Sequence, residues 1–135
     1  MHRVILVAQV LLGLPLVVFG LNGFLHFLPQ PEGFPPAAMS FLKALDESVY
    51  LLPLKSGIEV ACGLMLLSGR LVPLALILFA PILVNIVAFH YVLDDPKNGA
   101  VGYAMLVLEL LLAWAYGPAF RGVLSLGAKT RFSPR

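Results

Sequence analysis

Four long hydrophobic segments follow one another along this chain, and they predict four helices that cross a membrane. They cover residues about 4–28, 48–69, 71–93 and 100–120, and a helix needs roughly 20 apolar residues to cross a bilayer. The tight turn at Gly69 and Arg70 requires the second and third segments to run in opposite directions. The pattern therefore predicts an all-α integral membrane protein built as an antiparallel four-helix bundle.

The connections differ from these segments in composition. Residues 29–36 read PQPEGFPP and residues 94–99 read DDPKNG, and both runs are typical of loops and turns. Between the first two segments, apolar residues recur at helical spacing over about 37–47, opposite polar ones, which predicts a short amphipathic helix on the membrane surface. We therefore expect one transmembrane domain over residues 1–122 and a basic cytoplasmic tail over 123–135.

Composition agrees with a lipid environment and excludes several functions. Of the 135 residues, 60% are hydrophobic and only 12% charged, whereas soluble domains carry about 25% charged residues. The mean hydropathy is +0.95. A net charge of +2 is too small to indicate nucleic-acid binding. The single cysteine, Cys62, can form neither an internal disulfide nor a dithiol pair.

The charges outside the hydrophobic segments predict an orientation. In a four-helix topology, six basic residues fall on one side: Arg3, Arg70, Arg121, Lys129, Arg131 and Arg135. The other side holds two lysines and five acidic residues: Lys43, Lys97, Glu32, Asp46, Glu47, Asp94 and Asp95. The positive-inside rule then places both termini of this multi-pass protein in the cytoplasm.

Polar residues inside the hydrophobic segments indicate a buried ligand site. The predicted topology places seven of them in the outer half of the bundle: Asn22, His26, Lys55, Glu59, Asn85, His90 and Glu109. A charge at this depth costs at least about 2.5 kcal/mol unless it is paired, so such residues mark functional sites. The inner half holds only Gln9 and Ser68, which we interpret as isolated.

The spacing of these residues assigns some of them to common faces. Lys55 and Glu59 are four apart and share a helical face, either as a structural ion pair or as part of the site. Asn85 and His90 are five apart and differ by about 140° on an ideal helix, so we expect one to face elsewhere. Glu109 is the only charge on its segment. With no cation beside it, we expect a neutral, protonated side chain there.

The chain resembles the DoxX family of small four-helix membrane proteins, including its DoxD-like and MauE-like relatives. The most specific run is K-x-x-x-E-V-x-x-G-L-x-L-L-x-G-R-x-V-P-L-A over 55–75, followed by A-P-I-x-V-N-I-x-x-F-H over 80–90. NGFLHF at 22–27 and YGP at 116–118 are similar to further family elements, and the pattern departs after Pro118. The resemblance implies a bacterial inner-membrane protein linked to quinone- or thiol-dependent redox systems.

Three classes of function remain open from the sequence. In the first, the protein is an accessory subunit that binds a quinone between its helices, with a redox partner in the membrane or periplasm. In the second, it is a non-catalytic scaffold or assembly factor, and a homo-oligomer is compatible with both. In the third, it holds haem between two imidazoles, or a metal ion through His26, Glu59, His90 and Glu109.

Overall fold

A computed structural model of the chain describes residues 1–29, 32–127 and 131. All regular structure in these residues is helical, and they contain no strand. Parts of two predicted connections lie outside the described residues, namely 30–31 of the PQPEGFPP loop and 128–130 and 132–135 of the basic tail.

The helices follow the order of the hydrophobic segments. The α-helices are α1 His2–Leu25, α2 Pro36–Glu47, α3 Leu51–Ser68, α4 Val72–Ala88, α5 Ala100–Ala115 and α6 Gly117–Phe120. A π-helix, Phe89–Leu93, continues α4, and a 3-10 helix, Pro96–Gly99, precedes α5. Within the described residues, four helical stretches are long and apolar enough to cross a membrane: His2–Leu25, Leu51–Ser68, Val72–Leu93 and Pro96–Ala115. The all-helical class and the four helices of spanning length are thus confirmed.

In the first and fourth hydrophobic segments, the α-helix ends earlier than the composition of the segment indicates. In α1 the chain turns at His26, which adopts a left-handed conformation (φ 49°) and donates its N–H to the Asn22 carbonyl. The Asn22 side-chain oxygen then accepts the Leu28 N–H at 2.7 Å, a local bond that competes with further helix. In α5 the helix ends at Ala115, because Pro118 has no N–H to continue the α-helical ladder.

The closest helix contact joins α1 to α3 through glycines. A Cβ atom at Gly63 would lie 2.7 Å from the Gly13 carbonyl oxygen, and one at Gly20 would lie 2.9 Å from the Ser56 carbonyl oxygen. These backbones are too close for any side chain at either position. The largest fully buried side chains of the core come from four helices: Leu12, Leu16, Leu66, Phe79, Leu83 and Leu112.

The outer surface of the helices is apolar. Only 28–33% of the residues in each span are buried within the chain, and Val7, Leu11, Val107 and Trp114 are more than half exposed. Apolar surface on this scale is compatible with contact to lipid.

Gln9 of α1 forms hydrogen bonds with other parts of the chain. This finding corrects our expectation from the sequence that Gln9 is isolated. Its side chain is buried, with an exposed fraction of 3%. Its Nε2 donates to the Leu66 carbonyl oxygen of α3 at 3.2 Å, and its Oε1 accepts from the Tyr116 hydroxyl at 3.4 Å. The sequence did not indicate this pairing, because its partners lie 57 and 107 residues away. Gln9 therefore links three parts of the fold through hydrogen bonds.

Candidate functional site

Lys55 and Glu59 form an ion pair on one face of α3. The Lys55 Nζ lies 2.9 Å from the Glu59 Oε1, and the two side chains are 28% and 2% exposed. Their spacing of four residues brings them together without help from another helix. The second carboxyl oxygen, Oε2 of Glu59, is buried and has no hydrogen-bond partner in the described part of the chain. The pair therefore satisfies only one of the two buried carboxyl oxygens.

Two connected clefts open beside this ion pair. The wide cleft has a volume of about 980 Å³ and lies between the bundle and α2. The narrow cleft has a volume of about 300 Å³ and reaches α5. The two clefts share four lining residues: Phe19, Lys55, Ile86 and His90. Volumes of roughly 300–1,000 Å³ are typical of small-molecule sites.

The clefts gather six of the seven residues that the sequence singled out. The wide cleft is lined by five of them: Asn22, His26, Lys55, Asn85 and His90. The narrow cleft is lined by Lys55, Glu59 and His90. Glu109 is buried in α5 but lines neither of these two clefts. It is therefore the one predicted site residue that the structure sets apart from them.

Asn85 and His90 line the same wide cleft, although we expected one of them to face elsewhere. Ideal helix geometry separates the two directions by about 140°. The wide cleft follows α4 into the π-helix and is broad enough for both side chains to border it. A π-helical turn of this kind is rare and is frequently found at functional sites.

The side chain of His90 is held by a hydrogen-bond network that the sequence analysis missed. Its Nδ1 lies 2.9 Å from the Asp94 Oδ2, and the Asn98 side-chain nitrogen donates to the Asp94 Oδ1 at 3.1 Å. The Asp94 side chain is only 1% exposed. The three residues recur every four positions, a signal that was available in the sequence, but we assigned Asp94 and Asn98 to a polar turn.

The network decides the charge of Asp94, which lies between two spans. Burial raises the pKa of this carboxyl, but hydrogen bonds from the His90 side chain, the Asp95 backbone and the Asn98 side chain together hold the pKa below its usual range. An ionised carboxylate only accepts hydrogen bonds. The Nδ1 of His90 therefore carries a hydrogen and donates a hydrogen bond to the Asp94 Oδ2.

Aromatic contacts close the wide cleft on the side of α2. The Phe89 ring at the start of the π-helix packs edge-on against Phe34, with ring centroids 5.6 Å apart. It also contacts Phe41 of α2, at 5.7 Å. Edge-to-face pairs at this separation are favourable beyond their buried area. These rings attach α2 and the loop before it to the end of α4.

The structure does not assemble the metal site considered from the sequence. In the described ranges 1–29, 32–127 and 131, no group of three or more His, Cys, Asp or Glu side chains could hold a metal ion. The structure therefore does not bring together His26, Glu59, His90 and Glu109 as a set of ligands.

Comparisons of the chain with protein-family models, with curated proteins and with solved structures give no match.

Proposed function

We propose that this chain is a DoxX-like membrane protein that binds a quinone or its reduced form, as an accessory subunit of a redox system in a bacterial inner membrane. The observation that carries the proposal is the pair of connected clefts, in which apolar and aromatic side chains surround a few polar groups. This composition is typical of sites for small amphipathic ligands. A partner in the membrane or periplasm would exchange the electrons.

Helix contacts support an antiparallel bundle within the membrane. Along α1, Gly13 meets Gly63, Gly20 meets Val60, and further along, Gly23 meets Ser56. The numbers rise in α1 as they fall in α3, so these two helices run in opposite directions. The connections after Ser68 and after Leu93 are short, which supports the same alternation through α4 and α5.

The lining of the clefts supports a quinone-type ligand. The ammonium group of Lys55 and the amide of Asn85 can donate hydrogen bonds to ring oxygens. Phe19, Ile86 and Met105 offer apolar surface for a ring. The wide cleft continues from the shared residues along α2, where it can take an apolar tail.

The cysteine favours a quinone over a thiol as the redox group. Cys62 is the only cysteine in the chain, and it is fully buried in α3. Thiol exchange requires access of one sulfur to another. A role in a thiol-linked system would therefore depend on the cysteines of a partner.

Orientation can be tested by labelling single cysteines in a Cys62→Ser background. We expect Glu32→Cys, in the loop before α2, to react with a membrane-impermeant maleimide added to intact cells. Leu124→Cys, after α6, should react only once the cells are opened, because the basic residues keep that side in the cytoplasm. Labelling of both positions from outside would contradict the four-span topology.

Ligand binding can be tested with a decyl-tailed benzoquinone and its hydroquinone, titrated calorimetrically into protein in lipid nanodiscs. We expect at least one of the two forms to bind, and we expect Ile86→Trp to weaken that binding at least about tenfold. Ile86 lines both clefts, so the larger ring would fill their junction, and 1.4 kcal/mol already corresponds to a factor of ten.

Val84→Trp is the matched control for this substitution. Val84 also lies in α4, but it is 64% exposed and lines neither cleft. The Val84→Trp variant should bind the same probes with the affinity of the parent protein. If neither form of the probe binds the parent protein, the ligand-binding function is wrong and the scaffold is the better interpretation.

A further inference from the structure

Two residues that line the narrow cleft, His90 and Glu59, each have a hydrogen-bond acceptor without a partner among the described residues. His90 donates through Nδ1 to Asp94, so in the neutral ring the remaining nitrogen, Nε2, carries a lone pair. No hydrogen bond to Nε2 occurs in the part of the chain that the structure describes. His90 lines both clefts, so this nitrogen is the one that remains for a ligand.

Glu59 adds a second acceptor to the same cleft. Its Oε1 is occupied by Lys55, and its Oε2 is buried without a hydrogen-bond partner among the described residues. The carboxyl group lines the narrow cleft and is 2% exposed, so water outside the protein does not reach it freely. A buried acceptor without a hydrogen-bond partner is unfavourable, because it has lost water and gained nothing in exchange. A ligand that donates a hydrogen bond would remove this cost.

Lys55 is the one charged donor at the junction of the clefts. Its ammonium group has three N–H bonds, of which Glu59 accepts one. A quinone carbonyl oxygen could accept from Lys55, but it has no hydrogen for His90 or Glu59. A hydroquinone hydroxyl can accept from Lys55 and can also donate. The hydroquinone can therefore form hydrogen bonds with Lys55, His90 and Glu59, which all line the narrow cleft.

We propose that the narrow cleft binds the reduced, hydroquinone form of the ring in preference to the quinone. One ring hydroxyl donates its hydrogen to His90 Nε2, the other donates to Glu59 Oε2, and Asp94 is a positioning residue that holds His90 in the required tautomer. This proposal rests on the proposed function, because it assigns a preferred oxidation state to the same ligand. It involves binding only and requires no electron transfer.

The preference can be measured with three probes that share one ring and tail. They are the decyl-tailed benzoquinone, its hydroquinone and the dimethyl ether of that hydroquinone, titrated without oxygen. We expect the hydroquinone to bind at least about tenfold more tightly than the other two, since only the hydroquinone can donate hydrogen bonds to His90 and Glu59. The ether keeps the shape of the reduced form but cannot donate.

Two substitutions distinguish an effect of the His90 tautomer on binding from a general effect on packing. An Asp94→Asn amide can donate to Nδ1, which moves the ring proton to Nε2 and turns that nitrogen into a donor. We therefore expect Asp94→Asn to lose the hydroquinone preference and to bind the quinone at least as well as the parent protein does. His90→Phe should lose the preference as well, whereas His2→Phe, outside both clefts, should keep it.

Nitrogen-15 NMR of the histidine ring gives a readout that does not require the ligand. We expect the proton of His90 on Nδ1 in the parent protein and on Nε2 in Asp94→Asn. Equal affinity for the two oxidation states, or tighter binding of the quinone, would overturn this inference and leave the proposed function intact. Equal weakening of both forms in Asp94→Asn, with the tautomer unchanged, would also overturn it. Absence of binding by either form would instead overturn the proposed function.

Discussion

Lys55→Met should destabilise the protein by about 3–5 kcal/mol, which is the usual cost of leaving one partner of a buried ion pair without the other. The Glu59 carboxylate would remain in a place where only 2% of its side chain is exposed. Glu59→Gln should cost less, because Lys55 is 28% exposed and can still reach water. Equilibrium unfolding in mixed micelles measures both variants, and a larger loss for Glu59→Gln would contradict this interpretation.

The double variant Lys55→Met with Glu59→Gln should recover much of the stability, because neither buried charge remains. Lys43→Met is the matched control. Lys43 and Glu47 have the same spacing in α2, but their charged atoms lie 3.7 Å apart and the side chains are 74% and 66% exposed. An exposed pair of this kind contributes about 0.3–0.5 kcal/mol. A double variant as unstable as Lys55→Met would show that the ion pair is not the cause.

Gly63→Ala should destabilise the protein by about 1–3 kcal/mol or more, through overpacking of α1 against α3. The new methyl group would meet the Gly13 carbonyl oxygen at 2.7 Å and the Val17 backbone nitrogen at 2.9 Å. Backbone atoms cannot rotate away as a side chain does, so the two helices must move apart. The packing of the cleft residues on both helices would change with them.

Gly57→Ala in the same helix provides the control. A Cβ atom at Gly57 would meet only the Phe24 ring, at 3.9 Å, which is an ordinary contact. Alanine is favoured over glycine inside a helix by about 1 kcal/mol, so this variant should unfold no more readily than the parent protein. The same unfolding measurement serves both variants. Similar losses at Gly57 and Gly63 would show that close helix packing is not the cause.

The Lys55–Glu59 ion pair and the His90 network both join residues four positions apart, so both depend on local geometry. The Lys55–Glu59 pair could be predicted, because two residues four apart in a helix meet whatever surrounds them. The contact between His90 and Asp94 has the same spacing, yet the DDPKNG composition indicated a turn and concealed it. The composition of this run reflects the average preference of its residues for turns. A rare π-helix continues α4 up to Leu93, which the average preference does not predict.

The sequence by itself determined the number and order of the helices that are long and apolar enough to span a membrane, because a long apolar run has few alternatives to a helix once water is excluded. The sequence also identified polar residues inside these helices, where a charged side chain is costly unless it is paired. Only the tertiary structure decided which of them share a cleft. Glu59 and His90 line the same cleft because α3 packs against α4, whereas Glu109 lines neither cleft. Likewise, the hydrogen-bond partners of Gln9 are distant in the sequence. Helical periodicity assigns a side chain to a face, but the packing of that face against other helices depends on contacts distant in sequence.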